Sequence, residues 1–274
     1  MNTSQTTTEQ KPSTPRTSRA LARERTLDRI VELGNAQLAE CGAAELSVRE
    51  IARGLGMVSS AIYRYVSCRE ELLTLLIVDA YGDLADTVDE AVEQAGRDPR
   101  TRFLALARAM VAWAIAHPER WTLLYGTPVS DYDAPAEATN ADGTRVMAAV
   151  LAIAADAAGV AGAAGAAGSV GSDGSAESVG ADGSDGSDGA AESAGGRPAV
   201  QVTPEVQSLL ETHLAEFAVQ ADAVVALRAV TAWSSLVGVV SAHVFGQLGA
   251  DAVAVGEQML DSQVEMLAEL VIGS

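Results

Sequence analysis

Apolar residues recur along this chain with the period of a helix, and the pattern stops and restarts at recognisable signals. Leu27, Ile30, Val31, Leu33 and Leu38 lie at helical spacing and predict a helix over 21–41, ended by Gly42. Ser47 followed by Glu50 has the spacing of a capping box and opens a short helix through Arg53, with Val48, Ile51 and Ala52 facing inward. Gly54-Leu55-Gly56 breaks it, and a further short helix is expected from about Ser59 to Tyr65. Ser67 with Glu70 predicts a second capping box and a long helix to about Ala95. Asp98-Pro99 opens the next helix, over 100–116, and Pro118 restarts one through Tyr125. Gly126, Pro128 and Pro135 mark a loop. Helices are then expected over 137–158, from Thr203-Pro204-Glu205 to about Gln220, from an Asp222 cap to Gln247, and from an Asp251 cap to about Ile272. Ala and Leu favour helices and aromatics are scarce, so the fold class is all-α, with three short helices leading into a long helix and a helical body.

Two stretches depart from this pattern. Residues 1–19 are rich in Thr, Ser, Gln and Pro and read as a disordered arm, with Lys11, Arg16 and Arg19 loading its end with charge. From Ala157 to Gly196 the chain holds twelve Gly, twelve Ala, seven Ser and six acidic residues, with no basic or aromatic one. Such a composition buries too little apolar surface to offset its ordering entropy, so 157–198 reads as a flexible insertion. The expected organisation is an arm (1–19), a three-helix unit (20–70) and a helical body (71–274).

Composition narrows the function. The chain has 274 residues, 48% hydrophobic but only 4% aromatic, so its core must be mostly Ala, Leu and Val. Two cysteines exclude a disulfide scaffold and a four-thiolate zinc site; Cys41 reads as core and Cys68 as a residue of a helix start. His117, His213 and His243 are far apart, so no metal site is expected. No secretion signal or convincing membrane span appears, and a soluble cytoplasmic protein without cofactor is the expectation. No nucleophile elbow, phosphate loop or metal motif is present, which argues against an enzyme. The net charge of −19 is unevenly spread: residues 1–70 hold ten Lys/Arg and eight Asp/Glu, a net of +2. The remaining eight Lys/Arg and 29 Asp/Glu give residues 71–274 a net of −21, which suggests a basic working end on an acidic body.

The working end carries the information. A glycine turn between the second and third short helices is the spacing of a helix-turn-helix. Ile62 would plug the third helix onto the core, leaving Ser59, Ser60, Tyr63 and Arg64 outward, groups suited to base edges and phosphates. The run Leu46 to Leu73, LSVREIARGLGMVSSAIYRYVSCREELL, resembles the DNA-binding domain of the TetR-type repressors over roughly residues 20–75. Ser47, Met57, Val66 and Arg69 stand where that family has Thr, Val, Phe and Lys, and Val58 stands where it has a capping Ser or Thr. The resemblance implies double-stranded DNA as partner. Arg49 would touch a phosphate or base; Ser59 and Ser60 would open the recognition helix; Tyr63, Arg64 and Tyr65 would meet backbone and groove edges; Arg69 would clamp a phosphate.

The resemblance also implies a homodimer, paired through the last two long helices, and an inducer pocket in the body. Trp233 to Gly238 is similar to the Trp-x-x-x-His-Gly stretch of one subgroup, with Val237 in the His place. Trp113, His117, Trp121 and Tyr125 fall four residues apart and, with His243, are candidate walls of a pocket for a small apolar effector; plain core is the other reading. Tyr132, Phe217 and Phe245 are weaker candidates. The expected function is therefore a ligand-relieved repressor on a near-palindromic operator. The rival is an all-α ligand-binding or enzymatic protein that does not use its helix-turn-helix on DNA.

Overall fold

A computed structural model describes residues 18–126, 132, 134–168 and 201–272 except 250–254, with side chains to Gly159 in the second of the long stretches. Eleven α-helices and no strand are found among the described residues: α1 (Ser18–Cys41), α2 (Val48–Gly54), α3 (Ser59–Ile62), α4 (Arg69–Gln94), α5 (Pro99–Ala116), α6 (Pro118–Tyr125), α7 (Ala136–Gly143), α8 (Arg145–Gly168), α9 (Pro204–Glu216), α10 (Ala223–Val244) and α11 (Gly256–Ile272). Of the arm expected over 1–19, residues 1–17 lie outside the described residues, as does the Asp251 cap, and Ser18 and Arg19 instead begin α1.

Two groups of buried side chains divide the molecule, and α4 belongs to both. Near its start Leu72, Leu73 and Leu76 pack with Ile30 and Leu38 of α1, Ile51 of α2 and Ile62 of α3. Further along, Ala80, Leu84, Ala85 and Val88 face Phe103, Leu106 and Met110 of α5, Val150 and Ile153 of α8, and the apolar faces of α10 and α11. The 3.6-residue period of α4 is what lets one stripe serve both cores. Small residues set the close approaches: a Cβ on Gly34 would lie 2.9 Å from a methyl of Leu76, so α1 and α4 meet there only because the side chain is absent.

Several local expectations are met in altered form. Asp98 accepts hydrogen bonds from the Thr101 amide (2.8 Å) and hydroxyl (2.6 Å), which hold its carboxyl below the usual range, and Asp222 accepts from the Val225 amide at 2.8 Å. Ser47 accepts from the Glu50 amide at 3.4 Å, but the return arm of the box is missing. Glu50 pairs with Arg53 instead, and the Ser47 amide donates to Gln37 Oε1 at 3.0 Å. The second box is shifted by one residue: the Ser67 amide and hydroxyl both donate to Glu71, not Glu70, at 2.6 Å, and lower its pKa. Cys68 is the residue that starts α4, and its thiol makes no capping bond.

Three expectations are corrected. The helix expected over 137–158 is two, broken at Thr144, where Arg145 turns to bind Asp86 (2.8 Å) and Asp89 (2.5 Å) of α4 as well as Asp142. The second of them continues to Gly168, so the first part of the supposed flexible insertion is helical; its alanines supply the propensity. Cys41 is exposed, its thiol facing the Gln37 carbonyl oxygen at 3.1 Å, because the last turn of α1 runs past the edge of the core.

Helix α9 ends in strain. Ala218 holds φ +53°, with the Val219 amide donating to the Leu214 carbonyl at 2.9 Å. A Cβ in the left-handed region costs about 1–2 kcal/mol, only partly offset by the lower entropy of the unfolded chain. Ala218→Gly should therefore stabilise the protein by roughly 0.5–1 kcal/mol, read as a higher midpoint of thermal unfolding.

Among the described residues, Ala223–Val244 is the one helix long and apolar enough to cross a membrane. Here Ala226, Ala229, Ala232, Leu236 and Val240 form its buried stripe in the body core.

Candidate DNA-binding site

The head is built around the turn between α2 and α3. Gly56 adopts φ +66°, and the Met57 amide reaches back to the Ala52 carbonyl (2.9 Å) while that of Gly56 bonds Arg53 (3.0 Å). This closes α2 with the glycine in the conformation that a Cβ disfavours, and turns the chain sharply into α3. Ile62 is fully buried and Val66, the smaller plug, is buried with it. The recognition element is shorter than expected: α3 spans Ser59–Ile62 and continues as turns through Tyr65, with the Tyr65 amide bonding the Ile62 carbonyl at 2.8 Å. Val58 starts it with no side-chain cap and lies 71% exposed.

Burial of Ile62 decides what the opposite face shows. Ser59, Ser60, Tyr63 and Arg64 are all exposed, and Arg49 of α2 is exposed too. Neither Arg49 nor Arg64 has an ion-pair partner among the described residues, so both guanidinium groups are available to an anion. The head thus presents hydroxyls, a phenol and a cation on one short element and a second cation on α2, the groups that read and hold nucleic acid.

The structure adds residues to this set. The Arg23 guanidinium stands 5.8 Å from the centroid of the Tyr65 ring, so α1 packs on the recognition element through a cation–π contact. Arg19, Arg23, Arg64 and Tyr65 line one open notch with Met57 and Ala61. In sequence Arg19 and Arg23 were legible only as charge at a helix start; their four-residue spacing, which puts both on one face, was the available signal.

Arg69, expected as a phosphate clamp, makes bonds within the protein through one guanidinium nitrogen. It is half-buried, and its Nη2 donates to the carbonyl oxygens of Ala43 (2.6 Å) and Ala44 (3.3 Å). It braces the loop after α1 against the start of α4.

Most of the aromatic stripe expected to wall a pocket is packed into the core. Trp121 is fully buried and Trp113 nearly so, and Tyr125 packs against the same core. The break at His117 and Pro118 reorients the second half of the stripe. Trp113 then donates to Asp83 (2.9 Å), whereas Trp121 donates to Ser241 of α10 (3.1 Å). Trp121 and Tyr125 stack at 4.5 Å, and Tyr125 meets Tyr81 edge-on at 6.2 Å; burial pushes both phenols up. His117 lies 5.3 Å from the Trp113 ring. His243 is half-buried against Gly256, where a Cβ would come within 2.4 Å of its ring. The clefts at Arg108–Val264, Val92–Gly159 and Met147–Trp233 are lined by other side chains.

Head and body are joined by a polar cluster at this level. Arg120, 9% exposed, donates to Asp79 (2.9 Å) and Asp83 (2.6 Å) of α4 and stacks 5.3 Å from the centroid of Trp113. Asn35 of α1 donates to the same Asp79 at 2.9 Å. Two carboxylates one helical turn apart thus tie α1, α5 and α6 to α4. Arg120→Ala should cost about 2 kcal/mol in urea unfolding; the half-exposed carboxylates left behind keep it below the 3–5 kcal/mol of a fully buried pair.

An all-helical chain with an exposed helix-turn-helix on a separate helical body defines a class, the one-component DNA-binding regulators. Residues 103–267 match the family model described as "Tetracyclin repressor-like, C-terminal domain". Over 254 residues the chain is 41% identical to the HTH-type transcriptional regulator Rv1816 of Mycobacterium tuberculosis and to Mb1846 of Mycobacterium bovis, covering 91% of this chain and 94% of each relative. The crystal structure of SCO4313, a protein named as regulatory, is 28% identical with a TM-score of 0.62, covering 93% of this chain and 98% of that one. A Rhodococcus sp. RHA1 protein of unknown function shares the fold, with 21% identity and a TM-score of 0.55 over 90% of this chain and 93% of its own. The chain belongs to the TetR family, and is a DNA-binding transcriptional regulator. Its relatives are named as regulators and not as enzymes.

Proposed function

We propose that this protein is a repressor that binds a near-palindromic operator as a cytoplasmic homodimer and leaves it when a small apolar effector occupies the body. The observation that carries the DNA part is the exposed face of Ser59, Ser60, Tyr63 and Arg64 opposite the fully buried Ile62. Ser59 and Ser60 face base edges, Arg49 and Arg64 hold phosphates, and Tyr63 and Tyr65 meet backbone and groove edge. Arg19 and Arg23 extend the phosphate contacts along the duplex. Arg69 acts as a positioning residue for the head. The acidic body faces away from DNA, since its field repels phosphate.

The dimer reading is supported by what α10 and α11 leave uncovered. Thr231, Ser234 and Gly238 form an exposed strip of small residues on α10, and a Cβ on Gly238 would meet no neighbour. Met266 of α11 is 72% exposed. Two such faces related by a twofold axis bury each other and place two heads on one side of the DNA, with half-sites about one helical turn or more apart. An effector that favours another spacing of the heads lowers DNA affinity by its differential affinity for the two states.

Selection from random-sequence DNA, followed by fluorescence anisotropy and sedimentation, tests the reading. Enrichment of an inverted repeat, bound steeply with salt by a species of twice the chain mass, is the expected result. Enrichment of no motif, or a direct repeat bound by a monomer, would refute it.

A further inference from the structure

Helices α8, α9 and α10 form a cleft of about 190 Å³, partly open to solvent where Leu209 is exposed and apart from the Trp113–Tyr125 stripe. Its walls are Met147 and Leu151 from α8, Leu210 and Leu214 from α9, and Ala226 and Val230 from α10. Phe217, just past the end of α9, closes one side. No ionisable side chain other than His213 lines it, so nothing there would offset the desolvation of a charged ligand. An apolar cavity of about 150 Å³ already suffices for a benzene-sized guest, so this one takes a molecule somewhat larger.

Two polar groups give the cavity its chemistry. His213 places Nδ1 2.9 Å from the Leu209 carbonyl oxygen. A carbonyl oxygen can only accept, so Nδ1 carries a proton, and in the Nδ1–H tautomer Nε2 is an acceptor. Neither that Nε2 nor the indole N–H of Trp233, also on the lining, has a hydrogen-bond partner among the described residues. One acceptor and one donor beside a hydrocarbon wall match a hydroxyl group, which donates once and accepts as well.

We propose that this cavity binds a small uncharged molecule with a hydrocarbon body and a single hydroxyl, a neutral alcohol. It deepens the effector reading above and rests on it only for the consequence of binding, not for binding itself. The hydroxyl donates to His213 Nε2 and accepts from Trp233, and the chain lies against Leu151, Leu214 and Val230. Helix α9 forms one wall, so an occupant bears directly on how α9 sits against α8 and α10.

Isothermal titration of the full chain with 1-heptanol, with heptanoate as the charged counterpart, tests this. Saturable one-to-one binding of heptanol and none of heptanoate is expected. His213→Phe, which keeps the ring and removes the acceptor, should weaken heptanol about fivefold, the worth of one neutral hydrogen bond. Val230→Phe, which fills the cavity, should abolish binding while leaving the circular dichroism unchanged; Leu214→Trp fills it from α9 and serves if the first variant does not fold. Absent heptanol binding, equal binding of heptanoate, or full binding by a folded filled variant overturns the proposal. DNA binding by the same preparations separates the two readings. Heptanol binding that leaves DNA affinity untouched keeps the site and sinks the effector role; DNA binding without heptanol binding sinks the site and keeps the DNA-binding reading.

Discussion

Replacing Arg49, Tyr63 and Arg64 together by Ala should abolish selective DNA binding, with affinity falling on the order of hundredfold or more per head. All three are exposed, so their loss should leave the fold intact, and unchanged circular dichroism and thermal unfolding would establish that. The two arginines have no ion pair among the described residues, so no compensating intramolecular bond is lost with them. If each neutralises one phosphate, a homodimer loses four contacts, and the slope of log affinity against log salt should become shallower by about 4. Fluorescence anisotropy at several salt concentrations reads both quantities. An unchanged slope would mean that these side chains do not face the phosphates, and unchanged affinity would move the DNA surface elsewhere on the head. The Arg69→Ala variant is the useful contrast. Its bonds to the Ala43 and Ala44 carbonyls predict a loss of stability together with affinity, not a change of salt slope alone.

The largest stability effect is expected at Trp121. It is fully buried at the junction of α6 with α10, stacked on Tyr125 and bonded through its indole N–H to Ser241. Trp121→Ala removes the largest fully buried side chain and leaves a void walled by helices that cannot close on it. The cost is about 3–5 kcal/mol, which for a body of this size lowers the unfolding midpoint by about 10 °C. Trp121→Phe keeps most of the volume and loses the hydrogen bond, leaving Ser241 unpartnered, for about 1–2 kcal/mol. Scanning calorimetry of the two variants decides between core and cavity wall. If Trp121 instead lined a cavity, Ala would cost little more than Phe.

How much of this was legible beforehand varies with the kind of signal. The helices came from periodicity, and their ends from Asp98, Asp222 and Gly56, whose effects act within a few residues. The family came from a long two-sided motif around Ile62. Local signals failed where a distant group competed. Ser47 and Glu50 have the spacing of a capping box, but Gln37 holds the amide and Arg53 the carboxylate. Arg69 matches a family position, yet its guanidinium found carbonyls of the preceding loop. The break at Pro118 was legible in the aromatic stripe, but not the partners it brings, Asp83 for Trp113 and Ser241 for Trp121. Arg145, one cation among many acidic residues, fixed a helix break by binding three carboxylates at once.

The sequence alone determined the class of fold, the turn that presents the recognition element, and the separation of a basic head from an acidic body. These follow from periodicity, glycine conformation and charge counting, which do not depend on distant partners. Tertiary structure decided that Arg49 and Arg64 stand without an ion pair among the described residues while Arg69 holds two carbonyls, that Trp113 and Trp121 are buried in the core, and that a cleft lies between α8, α9 and α10. The reason is physical: a side chain's role is set by the strongest partner within reach, and packing brings together residues far apart in the chain, such as Trp121 with Ser241 and Arg120 with Asp79.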